Sequence, residues 1–357
     1  MWADMDEVER MQNGFDGADV AADVAADVAI VGAGLAGLVC AQALQQLGYS
    51  VVLVEKSRGL GGRLATRRLP QGFADHGVRY LENQGDLSQQ LIQALSEQGV
   101  IHPWTTEGNV QRYASPNGIT AAAKFLANGL TIARGQRVQS VAFDRAWDLT
   151  LEPVDQPMLN VMAKTLVMAI PAPQAVTLLE TLTELPGDFL AKIRSLTFDP
   201  CITAIATYPD SLQSPSWKAL NPTQDEGVAW VCFENSKSAN APHPVLTVQS
   251  NATFAEQNFD AEDLQAIGRQ LLDRVAPLIP QLPAPDILQV HRWRYAFARN
   301  PLPETFLSAD SLPLVCAGDW CGGRSIESAL RSGLAAAAAI SQSEVSFNDL
   351  LSAINCD

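Results

Sequence analysis

Positive charge is scarce in this chain: 24 Lys and Arg stand against 39 Asp and Glu in 357 residues, a formal net charge of −15. Nucleic acids and anionic membrane surfaces recruit basic patches through their phosphates, so neither is an expected partner. Histidine is scarcer still, at four residues. The six cysteines (Cys40, Cys201, Cys232, Cys316, Cys321, Cys356) form no CxxC pair and no cluster with histidine at metal-ligand spacing. No metal is therefore expected, no nucleophile–base triad is visible, and the thiols read as reduced. No apolar run has the length needed to cross a bilayer, and the acidic start lacks the basic and apolar regions of a secretory signal, which makes the cytoplasm the expected location. Nothing in the sequence assigns an oligomeric state.

What the chain does have is ordinary globular composition, 47% hydrophobic, at a length that suits two domains. Residues 18–28 repeat an Ala-Ala-Asp-Val unit that puts Asp19, Asp23 and Asp27 four apart, where like charges would stack and repel on a helix. Residues 1–26 therefore read as a poorly ordered acidic extension, with the core beginning near Asp27.

Residues 28–55, VAIVGAGLAGLVCAQALQQLGYSVVLVE, are the most informative run. The pattern predicts a buried strand, a glycine turn, a helix over 35–47 closed by Gly48, and a second strand ending at a carboxylate. Gly32 permits the tight turn, Gly34 lets backbone approach a pyrophosphate, and Gly37 lets the helix pack on the sheet. The helix amino end then faces negative charge. Glu55, about twenty residues beyond the turn, is placed to accept from a ribose's paired hydroxyls. Gly32, Ala33, Gly34, Leu35, Ala36, Gly37, Glu55 and the adjoining Lys56 thus form the expected binding set for an ADP-containing dinucleotide.

Two further stretches belong with it. After Glu55, KSRGLGGRLATRR places Gly61 and Gly62 in a loop beside Arg58, Arg63, Arg67 and Arg68, an unexpected basic cluster in so acidic a chain. Arg63 is the expected forked donor to pyrophosphate oxygens. Near the other end, LPLVCAGDWCGGRSIESALRSGLAAAAAI predicts a buried strand, a turn at Gly318 and Asp319, and a helix from Ser325 or Ile326. Asp319 can accept from a ribityl hydroxyl, and backbone donors at Ile326 and Glu327 face a group that accumulates negative charge. The small residues after Ser332 make a smooth face expected to pack on the sheet. Cys321 adjoins this motif, but proximity alone does not make it an attachment point for a cofactor.

The combination of GAGLAG with Glu55, LGGRLATRR with FADHGVRYL, and LVCAGDW with SIESALRSG resembles the flavoprotein superfamily of amine oxidases and para-hydroxybenzoate hydroxylase. Within it the chain is most similar to the renalases, through Asp75, Gly77 and Tyr80 after the GGR loop, the stretch SPNGITAAAKFLA, Trp293 with Arg294, and LVCAGD. The resemblance implies noncovalent FAD and an α/β fold: a Rossmann-type FAD-binding domain from 27–76, 131–170 and 290–357, with a discontinuous α+β substrate domain, like that of para-hydroxybenzoate hydroxylase, from 77–130 and 171–289. It implies that Val138 clasps adenine through its backbone. Ser328, Ile119, His76 and Arg79 depart from the usual pattern, and the last two are candidates to line the substrate pocket.

Residues 288–297 join the substrate domain back to the flavin domain. If extended, they turn His291, Trp293 and Tyr295 to one face. His291 and Trp293 are the catalytic-site candidates, one to hydrogen-bond a donor and the other to wall the site, although a histidine among aromatics on a strand is also ordinary core. The renalase resemblance implies an oxidase that takes hydride from isomeric or misreduced NAD(P)H and passes electrons to molecular oxygen, giving NAD(P)+ and hydrogen peroxide. An amine oxidase or desaturase of the same superfamily, and a flavin-binding protein without enzymatic activity, are the alternatives.

Overall fold

The computed structural model describes residues 24–70, 72–153, 160–222, 227–238 and 243–354. The first strand, Val24–Val31, opens a parallel ladder with Val51–Glu55 on one side and Asn160–Met168 on the other. The strand Thr131–Arg134 extends the ladder beyond Val51–Glu55, and Leu314–Cys316 extends it beyond Asn160–Met168. The antiparallel edge strand Leu307–Ala309 and the hairpin Gln136–Asp144/Ala146–Pro153 complete eight strands. The two glycine-bordered strands are central and apolar because both faces are covered. The fold is a Rossmann-type nucleotide-binding unit with a second α/β unit.

The strand begins at Val24, earlier than the sequence boundary at Asp27. Val24 and Ala26 pack against the core, while the Asp27 side chain bonds Ser50 and Lys164 across the strand ends. The remainder of the expected acidic extension, residues 1–23, lies outside the described residues.

Two cores flank the large sheet. On one face the helix Leu35–Gln46 packs with Ile326–Ser341, Asp86–Glu97, Thr120–Leu126 and Phe347–Ile354. On the other lie Ala172–Leu179 and Gly187–Arg194, with Leu179, Phe189 and Ile193 set against Val31, Val52 and Leu166. Residues 86–97, 120–126 and 172–194, expected in the substrate domain, share the apolar clusters that flank the large sheet, the first two with the helices Leu35–Gln46, Ile326–Ser341 and Phe347–Ile354 and the last with strand residues such as Val31 and Val52. The alanine-rich helix also differs from expectation, since it packs on a helix: a Cβ at Gly333 would stand 2.5 Å from the Ala36 carbonyl oxygen.

The second unit is a five-stranded antiparallel sheet, ordered Ala219–Leu220, Val228–Phe233, Val245–Ser250, Phe198–Thr207, Ile287–Ala298. The strand Ile287–Ala298 pairs with Phe198–Thr207 along its whole length, so residues 290–298, expected in the flavin domain, are strand partners within this sheet. Two-residue alternation sends Ile202, Ala204, Ala206, Val231, Leu246 and Val248 into a core beneath Ala252–Asn258 and Leu264–Val275. The opposite face carries Trp230, Gln249, Cys201, Thr203, His291 and Trp293, which the cross-strand register aligns in adjacent rows. Residues 75–80 run beneath that polar and aromatic face.

Candidate active site

Gly32 has φ of +105°, and a Cβ there would stand 2.7 Å from the Ala169 carbonyl oxygen. A Cβ at Gly37 would meet the Gly32 carbonyl oxygen at 2.1 Å. Both positions require glycine, and together they bring the helix start onto the strand end. Gly34 faces open space, and the helix begins there with no side-chain cap. The first-turn amides of Leu35, Ala36 and Gly37 thus form a donor set of the kind that holds a pyrophosphate.

Glu55 is buried with its two oxygens accepting separately: Oε2 from the Ala33 amide at 3.0 Å and Oε1 from the Ser57 amide at 2.8 Å. Each oxygen keeps a lone pair for a ribose hydroxyl. Lys56 is exposed beside it. The second glycine loop lies directly on the first, because the Gly61 amide donates to the Ala33 carbonyl at 2.8 Å and Gly34 bridges Gly61. Gly62 follows with φ of +57°. Gly135 donates to the Ser57 carbonyl at 3.2 Å, so the chain leaves this corner toward Val138, a buried residue three positions on. These residues fit an extended dinucleotide: uncapped amides, a glycine that leaves space, and a carboxylate with free lone pairs sit in one row.

Arg63 and Asp319 are brought together in an unexpected way. Sequence reasoning gave Arg63 the pyrophosphate and Asp319 a ribityl hydroxyl. The structure pairs the two in a fork, with Arg63 Nη1 donating to Asp319 Oδ2 at 2.8 Å, Nη2 donating to Oδ1, and Nη1 also reaching the Ala296 carbonyl at 2.9 Å. The Asp319 side chain is buried, and a buried carboxylate requires a partner of this kind. Gly318 beside it donates to Ser332 Oγ at 2.9 Å.

The late helix starts with a reciprocal cap. Ser328 N donates to Ser325 Oγ at 3.2 Å, and Ser325 N donates to Ser328 Oγ at 2.7 Å, which gives the departure from glycine at Ser328 a physical reason. Of the donors expected at this end, the Ile326 amide is engaged by Gln84 Oε1 at 3.2 Å. The Glu327 side chain points elsewhere: its carboxylate accepts from Ser88 N at 2.7 Å and pairs with Arg331, capping the helix Asp86–Glu97. Burial pushes the Glu327 carboxyl up, but these bonds outweigh it and hold it below the usual range.

The substrate-side candidates converge with a residue from the early motif. His76, His291 and Trp293 form a three-ring cluster with centroids 4.5 to 5.4 Å apart. Trp293 Nε1 donates to the His76 carbonyl at 2.7 Å, and Thr203 Oγ1 shares that acceptor at 3.0 Å. Gly77 is wedged beside them, where a Cβ would stand 2.1 Å from the Arg63 carbonyl oxygen and 3.3 Å from Trp293 Cζ2. The cluster therefore sits against the Arg63 loop. Burial, then His291 and Arg67, lower the His76 pKa to about 3; burial, then Arg67, lowers that of His291 to about 4. Both rings are neutral at physiological pH, and His76 Nδ1 is buried with no hydrogen-bond partner among the described residues. Tyr295, the third residue expected on this face, packs edge-on against Phe198. Cys321 is a buried thiol whose pKa burial raises, the reverse of an activated attachment point.

Several site residues carried no motif. Lys237, Glu234, Gln249 and Trp230 surround residues 75–80 through side-chain contacts that span more than 150 positions of the chain.

Residues 94–341 match the family described as flavin containing amine oxidoreductase, and residues 30–96 match the NAD(P)-binding Rossmann-like domain. Over 88 residues the chain is 33% identical to an L-amino acid dehydrogenase of Synechocystis sp., a stretch covering 24% of this chain and 16% of that protein's length. Among solved structures, a cyclohexylamine oxidase from Brevibacterium oxydans superposes with TM-score 0.63 at 18% identity, covering 90% of this chain and 99% of the other. A putrescine oxidase with putrescine bound gives 0.62 at 14% identity, with 89% and 99% covered. At these identities the structural likeness is one of fold.

Proposed function

Because the chain belongs to the flavin containing amine oxidoreductase family, we propose that it is an FAD-dependent oxidase whose donor is a dihydropyridine, an isomeric or misreduced form of NAD(P)H, as the renalase resemblance implies. FAD, when bound, supplies the chemistry: it accepts a hydride and returns two electrons to molecular oxygen, giving hydrogen peroxide. Gly32 to Gly37, Glu55 and the Gly61–Gly62 loop hold the nucleotide. The protein's remaining task is to position the donor and keep water away from it.

The observation that carries this reading is the electrostatic character of the ring cluster. His76 and His291 are neutral, Arg67 is the cation that acts on both, and the bordering carboxylates Asp75 and Asp319 already have cationic partners, Lys237 and Arg63. An ammonium donor finds no free carboxylate there among the described residues. A flat, uncharged dihydropyridine finds an indole wall and two imidazoles able to bond its carboxamide. Amine oxidation is the second reading, favoured by the family match and by the relationship to the L-amino acid dehydrogenase.

Anaerobic mixing separates the two. The 2- and 6-dihydro isomers of NAD(P)H should bleach the flavin absorbance in a rapid phase, while primary amines and amino acids should leave it unchanged. Bleaching by amines alone would transfer the assignment to the second reading.

A further inference from the structure

Among the described residues, Arg79 is the half-buried cation around this site with no acidic partner. Lys237 pairs with Asp75 and Glu234, Arg112 with Glu82 and Glu107, and Arg63 with Asp319. Arg79 donates through Nε to Gln249 Oε1 at 2.6 Å, and no carboxylate among the described residues reaches its guanidinium. The groups that act on it are the thiols Cys201 and Cys232, the phenol Tyr80 and a second cation, Arg112. Burial raises the pKa of both thiols and of the phenol, so none of them supplies a negative charge. A guanidinium keeps its charge in these surroundings, and leaving it partly desolvated without a counter-ion is costly.

The group is also held in a fixed orientation. Its Cζ lies over the Trp230 indole, 5.1 Å from the ring centroid. The Gln249 amide that takes Nε donates in turn to the Gly77 carbonyl at 2.8 Å. This leaves the Nη edge of the fork unbonded while the Nε edge is tied to the backbone residue wedged between the Arg63 carbonyl and Trp293. Two residues of chain separate Gly77 from Arg79, at most about 7 Å. A neutral glutamine side chain and an aromatic face make a support for the guanidinium, not a counter-ion.

We infer that Arg79 is the anion-recognition residue of the donor site: its free Nη edge pairs with a carboxylate or phosphate oxygen of the donor, and Gln249 is the positioning residue that aims it. The inference rests on the donor-site reading above and narrows it to donors that carry a negative group. Two sources share this chemistry, the phosphate of a dinucleotide and the carboxylate of an amino-acid-type donor. A fork aimed in this way contributes a charged hydrogen-bond pair, worth about tenfold to a hundredfold in affinity.

The test uses the yellow, FAD-loaded protein with three probes: nicotinate, its neutral isostere nicotinamide, and inorganic phosphate. Dissociation constants come from calorimetry and from quenching of tryptophan fluorescence. The native protein should bind at least one anion tenfold or more tightly than nicotinamide, and Arg79→Gln should abolish that preference while leaving nicotinamide binding unchanged. Arg79→Lys, which keeps the charge but not the fork, should restore part of it, and guards against a Gln variant that fails to fold. Preference for phosphate assigns the dinucleotide source; preference for nicotinate assigns the carboxylate source. Equal binding of all three probes by native protein, or an anion preference that survives Arg79→Gln, would overturn the inference. A colourless protein would instead refute the flavin reading on which it rests.

Discussion

The indole N–H of Trp293 donates to the backbone carbonyl of His76 at 2.7 Å, while the two rings lie stacked at 20° with centroids 5.4 Å apart. One residue comes from the early Asp-x-Gly segment and the other from the last strand of the second sheet, 217 positions away. Their contact joins the early Asp-x-Gly segment to the five-stranded sheet, at the point where the proposed function has the donor meet the flavin.

Trp293→Phe keeps most of the wall and removes the bond. The His76 carbonyl retains Thr203 Oγ1 as a donor, so thermal stability should fall by only about 0.5–1.5 kcal/mol. Flavin reduction by the true donor should slow by roughly tenfold to a hundredfold, because a ring free to shift no longer positions the donor. Stopped-flow absorbance measures this directly, and a native rate in the variant would reduce Trp293 to a space-filling role.

Proton linkage tests the neutral state of His76. Its pKa is about 3 in the folded protein, with burial as the main cause, against an ordinary 6.5. Between those values the unfolded chain binds a proton that the folded one does not, so stability falls as pH drops below about 6.5. One such imidazole contributes a slope of about 1.4 kcal/mol per pH unit, and none above pH 7. In His76→Phe the urea-derived stability should lose that slope between pH 4 and 6, and at pH 7 the variant should suffer little, since Nδ1 has no bond to lose. Parallel pH curves for the two proteins would mean that His76 is protonated in the fold.

The Arg63–Asp319 fork predicts strong coupling. Arg63→Met leaves the buried Asp319 carboxylate without its complement and Asp319→Asn leaves the half-buried Arg63 guanidinium without its own, whereas the double variant removes both. A double-mutant cycle on unfolding should return a coupling of about 1–3 kcal/mol. The visible-to-ultraviolet absorbance ratio of the purified proteins should show less FAD in each single variant than in native protein. Additive single effects would mean that the two groups serve the cofactor separately, as the sequence alone suggests.

The nucleotide-binding half was largely legible because its signals are local. Gly32, Gly34 and Gly37 answer to spacings within one turn and one helix, and Glu55 to a fixed distance along a strand. Of the five-stranded sheet, the last strand was legible as an extended 288–297 segment, from the alternation of His291, Trp293 and Tyr295. What could not be read was which surfaces meet. The helices at 86–97 and 172–194 carry apolar faces that suit either unit, and only packing assigns them to the large sheet. Arg63 and Asp319 each have the chemistry for a cofactor contact, and nothing short-range reports that they face one another. Lys237 carries no motif at all; its importance arises when Asp75, 162 positions away, is folded against it.

That buried cluster supports the last prediction. Lys237 is fully buried and donates to Asp75 Oδ2, Glu234 Oε2 and the Arg79 carbonyl, each at 2.9 Å. Burial alone would lower its pKa, but Asp75 and Glu234 outweigh that and raise it. Asp75 also accepts from Thr66 Oγ1 at 2.7 Å and the Ile119 amide at 2.8 Å, so the cluster fixes the backbone on both sides of the Asp-x-Gly segment. Lys237→Met leaves two buried carboxylates facing each other, at a cost of about 3–5 kcal/mol. Glu234→Gln removes the less satisfied charge, whose Oε1 has no partner, and keeps an acceptor for the Asp75 amide, so it should change stability by no more than about 1 kcal/mol. Burial already raises the Glu234 carboxyl above its ordinary range and Lys237 is the group that lowers it, so without the ammonium it rises further, and the variant's stability is retained at low pH and lost as pH rises through the Glu234 titration. The deficit of Lys237→Met should therefore shrink from pH 7 toward pH 4 in denaturant titrations. A deficit that is constant across that range would place its origin in lost packing and not in unpaired charge.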